Sequence, residues 1–245
     1  MTKIKVGAVN YLNTKPLIYG FEKGIMKEEI ELLINYPSKI AAELISNEIE
    51  IGLVPVAVIP QLTEYHIISD YCIGAVGQVA SVCLFSDVPL QNIKTIYLDY
   101  QSRTSVELLK ILVKEYWKLD VQFISAEEGY ISQIKDTTAG LIIGDRALDQ
   151  RKNFGYIYDL AEEWKSFTKL PFVFAAWVST KKLSDIFIDS FNKANCYGLD
   201  NLDKVIKATP CSFYDLHKYY TENISYVRDN DKKKGMELFL QKIRG

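Results

Sequence analysis

Apolar runs alternate with segments of helical period along most of the chain. Short runs rich in apolar residues, such as IKVGAV (4–9) and TIYLDY (95–100), are typical of strands, whereas residues 104–117 repeat their apolar side chains at the spacing of an amphipathic helix. A second amphipathic helix is predicted to open at Pro37 and Ser38. Strands are predicted at residues 4–9, 30–36, 49–59, 65–77, 79–86, 95–100, 121–125, 139–144 and 172–179.

From Ser184 onward the pattern is helical throughout, in four amphipathic segments. The segments are 184–196, 200–208, 212–225 and 230–243, with predicted caps at Ser184, Asp200, Ser212 and Asp229 or Asn230. Two β/α units followed by a helical tail predict two α/β lobes. We expect lobe 1 to comprise residues 1–86 and 179–245, lobe 2 to comprise residues 87–178, and a ligand cleft to lie between them.

The stretch VNYLNTKPL (9–17) follows the first predicted strand and contains several polar side chains. Proline is tolerated in the first turn of a helix, so Pro16 indicates a helix start that Asn13 or Thr14 would cap, with Gly20 as its end. A helix that starts at a strand end offers free N–H groups to an anion. The stretch therefore predicts either a simple capped helix or an anion site.

Composition is that of a globular protein, with 48% hydrophobic and 24% charged residues and a net charge of −2. This balance lacks the basic field that nucleic acids require, and no run of about 18 apolar residues predicts a membrane span. We expect a cytoplasmic protein, because no secretory signal is visible and the cysteines show no CxxC spacing. The cysteines, which we expect to be free thiols, are Cys72, Cys83, Cys196 and Cys211.

Common catalytic motifs are missing from the sequence. The two histidines, His66 and His217, are too few for a histidine-rich metal site and have apolar or aromatic neighbours. There is no phosphate-binding P-loop, and GAVGQV (74–79) lacks the third glycine of a dinucleotide fingerprint. The protein therefore either only binds a ligand or performs chemistry that needs little more than a base and stabilisation of an anion.

Small polar residues stand where the predicted strands end or helices begin. They are Asn10–Thr14, Ser38, Ser81, the cluster Ser102, Arg103, Thr104 and Ser105, and Gly144, Asp145 and Arg146. Ligands of open α/β sheets bind outside the carboxyl ends of the strands. Hydroxyl, amide and backbone N–H donors suit a carboxylate-bearing ligand.

Five segments of the chain occur in a specific order. They are VGAVNYLNTKPLIYG, EIGLVPV, YLDYQSRTSVELLKIL, GLIIGDRAL and YDLAEEWKSFTKLPFVFAAWV. Together they closely resemble the chorismate dehydratases of menaquinone biosynthesis by the futalosine route, over roughly residues 4–180. The resemblance implies a type II periplasmic-binding-protein-like fold, two α/β lobes with a cleft between them and a helical C-terminal tail.

The resemblance also implies an activity. It is the conversion of chorismate to 3-[(1-carboxyvinyl)oxy]benzoate and water by a lyase that uses no metal and no organic cofactor. Two positions depart from the family pattern: Lys15 stands where arginine is more usual, and Lys169 stands where glycine is expected. Lys15 keeps the charge, whereas Lys169 puts the turn near the cleft in question.

For this reaction Asn13 and Asp145 are the predicted catalytic residues. Asp145 is either the base, a partner of Arg146 or a hinge residue, and the side-chain carboxylate of the substrate is an equal candidate for the base. Asp99 is a weaker one. The predicted substrate-binding residues are Thr14, Ser38, Ser81, Ser102, Arg103, Thr104, Ser105 and Gly144. Ser38 and Thr104 are also candidates for helix caps, and Arg103 for a solvent-facing residue.

Two other functions share these features. A cytosolic binding protein would hold a small dicarboxylate reversibly in the same cleft. The 1,4-dihydroxy-6-naphthoate synthase of the same pathway has a similar fold, although SRTS (102–105) and LPFVFA (170–175) favour the dehydratase.

Overall fold

The computed structural model describes residues 3–244, and two β-sheets form its framework. The strands are β1 (Ile4–Val9), β2 (Ile30–Asn35), β3 (Ile51–Pro55), β4 (His66–Ala75), β5 (Val82–Ser86), β6 (Thr95–Leu98), β7 (Gln122–Ser125), β8 (Thr138–Ile143), β9 (Tyr156–Asp159), β10 (Phe172–Ser179) and β11 (Ser225–Val227). Most of them match the strands that the apolar runs predict, whereas β9 and β11 are missing from the prediction.

Helices cover the sheets and form the C-terminal region. They are α1 (Lys15–Glu22), α2 (Pro37–Ile45), α3 (Arg103–Ile111), α4 (Gly144–Gln150), α5 (Leu160–Thr168), α6 (Asp185–Leu199), α7 (Leu202–Ala208), α8 (Leu216–Lys218) and α9 (Asn230–Arg244). Two of them, α3 and α8, continue as π-helical turns over Leu112–Trp117 and Tyr219–Asn223. Short 3₁₀ segments precede α1 (Leu12–Thr14) and follow β3 (Val56–Gln61).

Both sheets combine parallel and antiparallel strands. The first has the order β11-β4-β10-β3-β1-β2, with β1 parallel to β2 and β3. The second has the order β7-β6-β8-β5-β9, with β6 parallel to β7 and β8. Because parallel strands end at the same edge, the loops after β1 and β3 lie together, and so do the loops after β6 and β8.

The chain crosses between the sheets twice, through residues 76–81 and through residues 160–171. The predicted lobe boundaries assign β5 to lobe 1 and β10 to lobe 2, whereas β5 pairs within the second sheet and β10 within the first. The division into lobes stays a prediction, and the strand pairing favours boundaries near 80 and 171. Residues 1, 2 and 245, which the predicted lobe 1 includes, lie outside the described residues.

The helical tail packs onto the second crossover through aromatic side chains. Trp164 of α5, Phe172 of β10 and Phe239 of α9 are fully buried, with ring centroids 5.1 to 6.3 Å apart and edge-on geometry. Edge-to-face pairs of this kind add to the free energy gained from burial. The C-terminal helix therefore stabilises the passage between the two sheets.

The tail also contains a strand that the sequence pattern does not predict. The expectation that the chain is helical throughout after Ser184 is wrong at Ser225–Val227, because β11 pairs antiparallel with β4 at the edge of the first sheet. Ser184 caps α6 as predicted, since its hydroxyl accepts from the backbone N–H of Phe187. Asp215, and not Ser212, caps α8.

Lys169, which stands where the family pattern has glycine, lies in the turn that ends α5. Lys169 has a φ of 66° at the C-terminal end of α5, in the left-handed region that favours glycine. Lysine adopts the conformation that the turn requires, at a cost of about 1 kcal/mol.

Glycines bring α1 and α6 into close contact. Gly20, predicted as the end of the first helix, lies inside α1, where an added Cβ would come within 2.1 Å of the Ala194 carbonyl oxygen. A Cβ on Gly198 of α6 would come within 1.8 Å of the Pro16 carbonyl oxygen. Both positions therefore exclude larger residues because a neighbouring backbone occupies the space.

We expect Gly198→Ala to lower the free energy of unfolding by about 1–3 kcal/mol, because α6 must move away from α1 to make room for the methyl group. Urea unfolding followed by circular dichroism measures the change. Gly155→Ala is the matched control, since a Cβ at Gly155 meets no atom within 4 Å. Equal stability of the two variants would contradict the close helix contact.

Candidate functional site

A cleft of about 580 Å³ lies between the two sheets. This volume includes open solvent at the mouth of the cleft. The lining residues are Val9, Tyr11, Asn13, Thr14, Pro37, Leu53, Pro55, Ile73, Val79, Ser81, Val82, Gln101, Ser102, Thr104, Ser105, Ile143, Gly144, Phe174 and Ala175. None of these side chains carries a charge at neutral pH.

The first turns of four helices converge on this cleft. Asn13 and Thr14 precede α1, Pro37 begins α2, Ser102 precedes α3, and Gly144 begins α4. The first turn of a helix carries a partial positive charge, even where its N–H groups already donate within the protein, as those of Ser105 and Gly144 do to Ser102 and Ser81. The cleft therefore favours an anion although no cationic side chain lines it.

The structure brings together most of the residues that the sequence proposes. Seven of the ten line the cleft: Asn13, Thr14, Ser81, Ser102, Thr104, Ser105 and Gly144. Three do not. Ser38 is exposed beside Pro37, the exposed Arg103 donates to Gln61 Oε1 at 2.9 Å, and Asp145 contacts the backbone of the loop after β1. The catalytic and binding roles themselves stay predictions.

The hydroxyl cluster at the start of α3 does not use Thr104, a predicted candidate, as its helix cap. Ser102 is the cap, because its Oγ accepts from the Ser105 backbone N–H at 3.1 Å and donates to Ser105 Oγ at 2.8 Å. Thr104 instead accepts from the Ala57 backbone N–H at 3.1 Å, across the space between the two sheets. Thr104 therefore joins the cleft walls, and Ser102 and Ser105 form a linked pair of hydroxyls.

Ser81 stands at the end of a strained turn. Ala80 has a φ of 62°, and the Ser81 N–H donates to the Val79 carbonyl at 2.8 Å. A left-handed alanine costs about 1 kcal/mol and persists only where its surroundings hold it. Here the Asp159 carboxylate accepts from the N–H groups of Val79 and Ala80, at 3.1 and 2.7 Å.

Asp145 is half-buried behind the loop that carries Asn13. Its Oδ1 accepts from the Leu12 backbone N–H at 3.1 Å. Burial raises the pKa of the Asp145 carboxyl above its ordinary value, although the Leu12 N–H and the charge of Lys15 act in the opposite direction. The predicted pairing of Asp145 with Arg146 is wrong, because Arg146 pairs with Asp99 instead.

Two polar residues that line the cleft, Tyr11 and Gln101, are missing from the predicted site residues. The Tyr11 hydroxyl donates to Gln101 Oε1, and Arg146 Nη2 donates to the same oxygen at 2.9 Å. Both bonds fix the orientation of the amide, so its NH₂ group is the side available as a donor. Gln101 directly precedes Ser102 in the loop after β6, so the rule that selects strand ends would have included it.

Arg146 is held in place from behind the cleft. It binds both carboxylate oxygens of the buried Asp99, at 3.0 and 2.8 Å, and Tyr130 donates to Asp99 Oδ2 at 2.8 Å. Desolvated ion pairs are stable only when their remaining hydrogen-bonding groups are satisfied, and here both Asp99 oxygens accept a further hydrogen bond, from the Gln101 N–H and from Tyr130. The positive charge of Arg146 therefore lies behind Gln101, which separates it from the surface of the cleft.

The cleft lining also includes apolar side chains, among them Leu53, Ile73 and Phe174. Such side chains suit a hydrocarbon ring, and the donors suit its carboxylates. Among the helices of residues 3–244, none combines the length and hydrophobicity needed for a membrane span. Over the same residues there is no cluster of three or more histidine, cysteine or acidic side chains that could hold a metal.

Comparison with solved structures confirms the fold. A protein from Archaeoglobus fulgidus superposes with a TM-score of 0.77 at 16% identity, over 99% of this chain and 97% of that one. A Candida albicans gene product, described as having the generic periplasmic binding protein fold, superposes with a TM-score of 0.62 at 15% identity, over 100% of this chain and 95% of that one. The two sheets and their cleft thus define a protein of the periplasmic-binding-protein-like class.

Sequence comparison shows which family within that class the chain belongs to. Residues 4–244 match the family model described as menaquinone biosynthesis, so the chain belongs to the menaquinone biosynthesis family. A Thermus thermophilus protein named chorismate dehydratase is 25% identical over 262 residues, which cover 97% of this chain and 94% of that protein. The family that the five sequence segments predict is confirmed.

The raised pKa of Asp145 makes a prediction about pH and stability. The folded state binds the proton more tightly than the unfolded state, so the Asp145 contribution to the free energy of unfolding falls as pH rises from the ordinary value of 3.8 to the folded pKa, and is constant above. Asp145→Asn keeps an acceptor for Leu12 without ionising. We therefore expect the variant to gain stability relative to the wild type as pH rises from about 4 towards neutral.

Thermal unfolding of both proteins over this pH range measures the difference. A loss of relative stability by Asp145→Asn as pH rises would mean that Lys15 and the Leu12 N–H outweigh burial, and would contradict the direction of the shift.

Proposed function

We propose that the protein is a chorismate dehydratase, a lyase that removes water from chorismate to give 3-[(1-carboxyvinyl)oxy]benzoate. Family membership and the likeness to the Thermus thermophilus protein support this proposal. The observation that carries it is the cleft itself, whose lining combines neutral polar groups with apolar side chains. Such a lining suits a ring dianion whose charge moves during the reaction.

Binding of chorismate requires donors for two carboxylates. We assign one to the α1 side of the cleft, with Asn13 and Thr14, and the other to the α3 side, with Gln101 and Ser105. The ring lies against the apolar side chains. Neutral donors leave the substrate without a buried counter-charge, so binding depends on hydrogen bonds and helix dipoles.

The elimination moves negative charge through the ring. A base removes the hydrogen from the ring carbon that carries the enolpyruvyl ether, and the electron pair passes through the conjugated double bond into the ring carboxylate. The pair then returns, hydroxide leaves the neighbouring carbon and takes up a proton, and the ring becomes aromatic. Donors around the ring carboxylate gain strength as its charge grows, so they stabilise the transition state more than the bound substrate.

The choice of base follows from the lining of the cleft. Asp145 does not line the cleft and already accepts from the Leu12 N–H. Asp99 is committed to Arg146 and Tyr130. We therefore propose that the side-chain carboxylate of the substrate removes the proton, and that Asp145 positions the loop that carries Asn13. Because aromatisation drives the reaction, a weak base suffices, and we propose that no metal or organic cofactor takes part.

We expect protein that has been dialysed against a chelator to convert chorismate into a product lighter by one water. Mass spectrometry identifies the product, and the loss of chorismate absorbance gives the rate. Chorismate incubated without protein corrects for spontaneous decay. Recovery of intact chorismate after dialysis of the mixture would favour a binding protein, and formation of 1,4-dihydroxy-6-naphthoate from the synthase substrate would favour that enzyme.

We expect Asn13→Asp to lower kcat for chorismate by about 10²–10³-fold, because it replaces an amide donor by a carboxylate of the same size. Steady-state kinetics measure the effect, and an unchanged unfolding temperature excludes a folding defect. Ser38→Ala is the matched control, since the exposed Ser38 hydroxyl does not line the cleft. A comparable loss in Ser38→Ala would restore the predicted role of Ser38 and contradict this arrangement.

A further inference from the structure

Buried tyrosines of the C-terminal region lie directly behind the cleft. The Tyr219 hydroxyl donates to Ser81 Oγ at 2.7 Å, and the Tyr226 hydroxyl donates to the Asn13 carbonyl at 3.0 Å. Tyr219 is fully buried, and Ser81 lines the cleft. We propose that Tyr219 is a positioning residue, whose hydrogen bond directs the Ser81 hydroxyl hydrogen into the cleft as a donor to a substrate carboxylate. This inference rests on the proposed function.

The hydrogen-bonding capacity of a serine hydroxyl supports the assignment. The group has one hydrogen and two acceptor lone pairs. Tyr219 fills one lone pair, and the acceptor within reach of the Ser81 hydrogen inside the protein is the Val79 carbonyl at 3.5 Å, the outer limit of a hydrogen bond. The hydrogen is therefore available to an anion in the cleft, and a hydroxyl that accepts one bond donates more strongly.

The backbone of Ser81 is fixed independently of Tyr219. The Ser81 carbonyl accepts from the Gly144 N–H at 2.8 Å, and its N–H donates to Val79. Loss of the Tyr219 hydroxyl would therefore free the rotation of the Ser81 hydroxyl and leave its position unchanged. Burial raises the pKa of Tyr219 well above its ordinary value, which keeps the phenol protonated at neutral pH.

The chain offers a matched control in the next residue. Tyr220 is also buried, and its hydroxyl has no hydrogen-bond partner among the described residues. Both tyrosines belong to the π-helical turn Tyr219–Asn223, and their ring centroids are 5.7 Å apart. Tyr219→Phe and Tyr220→Phe therefore make the same chemical change in the same environment, and only the first removes a bond to a cleft residue.

The test is a double-mutant cycle. We expect Tyr219→Phe to lower kcat for chorismate about tenfold with little change in KM, because the donor acts on charge that develops in the transition state. We expect Tyr220→Phe to stay within about twofold of the wild type. Combined with Ser81→Ala, which itself costs about 10²-fold, Tyr219→Phe should add less than about twofold.

A loss that is equal in the presence and absence of the Ser81 hydroxyl would overturn the inference, since Tyr219 would then act through packing alone. Equal losses in the two tyrosine variants would overturn it as well. If the wild type leaves chorismate unchanged, the proposed function fails, and the same cycle is measured as the affinity for isophthalate by calorimetry. Additivity there, or the absence of binding by the wild type, overturns the inference.

Discussion

The buried carboxylate of Asp159 fixes the connection between the two sheets. It accepts from four backbone N–H groups, those of Val79 and Ala80 on the first crossover and those of Ala161 and Glu162 at the start of α5 on the second. Burial nevertheless raises the pKa of Asp159, so desolvation outweighs these four bonds. Asp159 lies at the point where both crossovers meet, next to the turn that brings Ser81 to the cleft.

Charge is arranged in layers around the cleft. The carboxyl group of Asp159 on one side and the Asp99–Arg146 pair on the other lie behind the surface and are held by hydrogen bonds. Their neighbours Ser81 and Gln101 present neutral donors to the ligand. A cation at the surface would bind the substrate and the transition state about equally, whereas dipoles fixed by a second layer are already oriented towards the charge that develops.

The sequence predicts those parts of the site that depend on local order. The periodicity of the sequence locates the strands, and parallel strands end at one edge of a sheet. The rule that selects polar residues at strand ends therefore finds Asn13, Ser81 and Ser102. The same rule selects Ser38, although the side chain beside it, Pro37, faces the cleft. The rule cannot predict contacts between residues far apart in sequence, such as Ser81 and Tyr219, which are 138 positions apart. The strand that precedes the last helix is missed because it has only three residues.

Contacts that cross between the sheets link closure of the cleft to its chemistry. The Tyr11 hydroxyl reaches Gln101, the Ala57 N–H reaches Thr104, and each joins an element of the first sheet to one of the second. Three of these four residues also line the cleft. A ligand in the cleft would therefore contact residues that also hold the two sides together. In a binding protein this coupling would increase affinity. In a dehydratase the donors increase the rate when they bind the ring carboxylate more strongly after charge has entered it than before. A lining of neutral groups allows this difference.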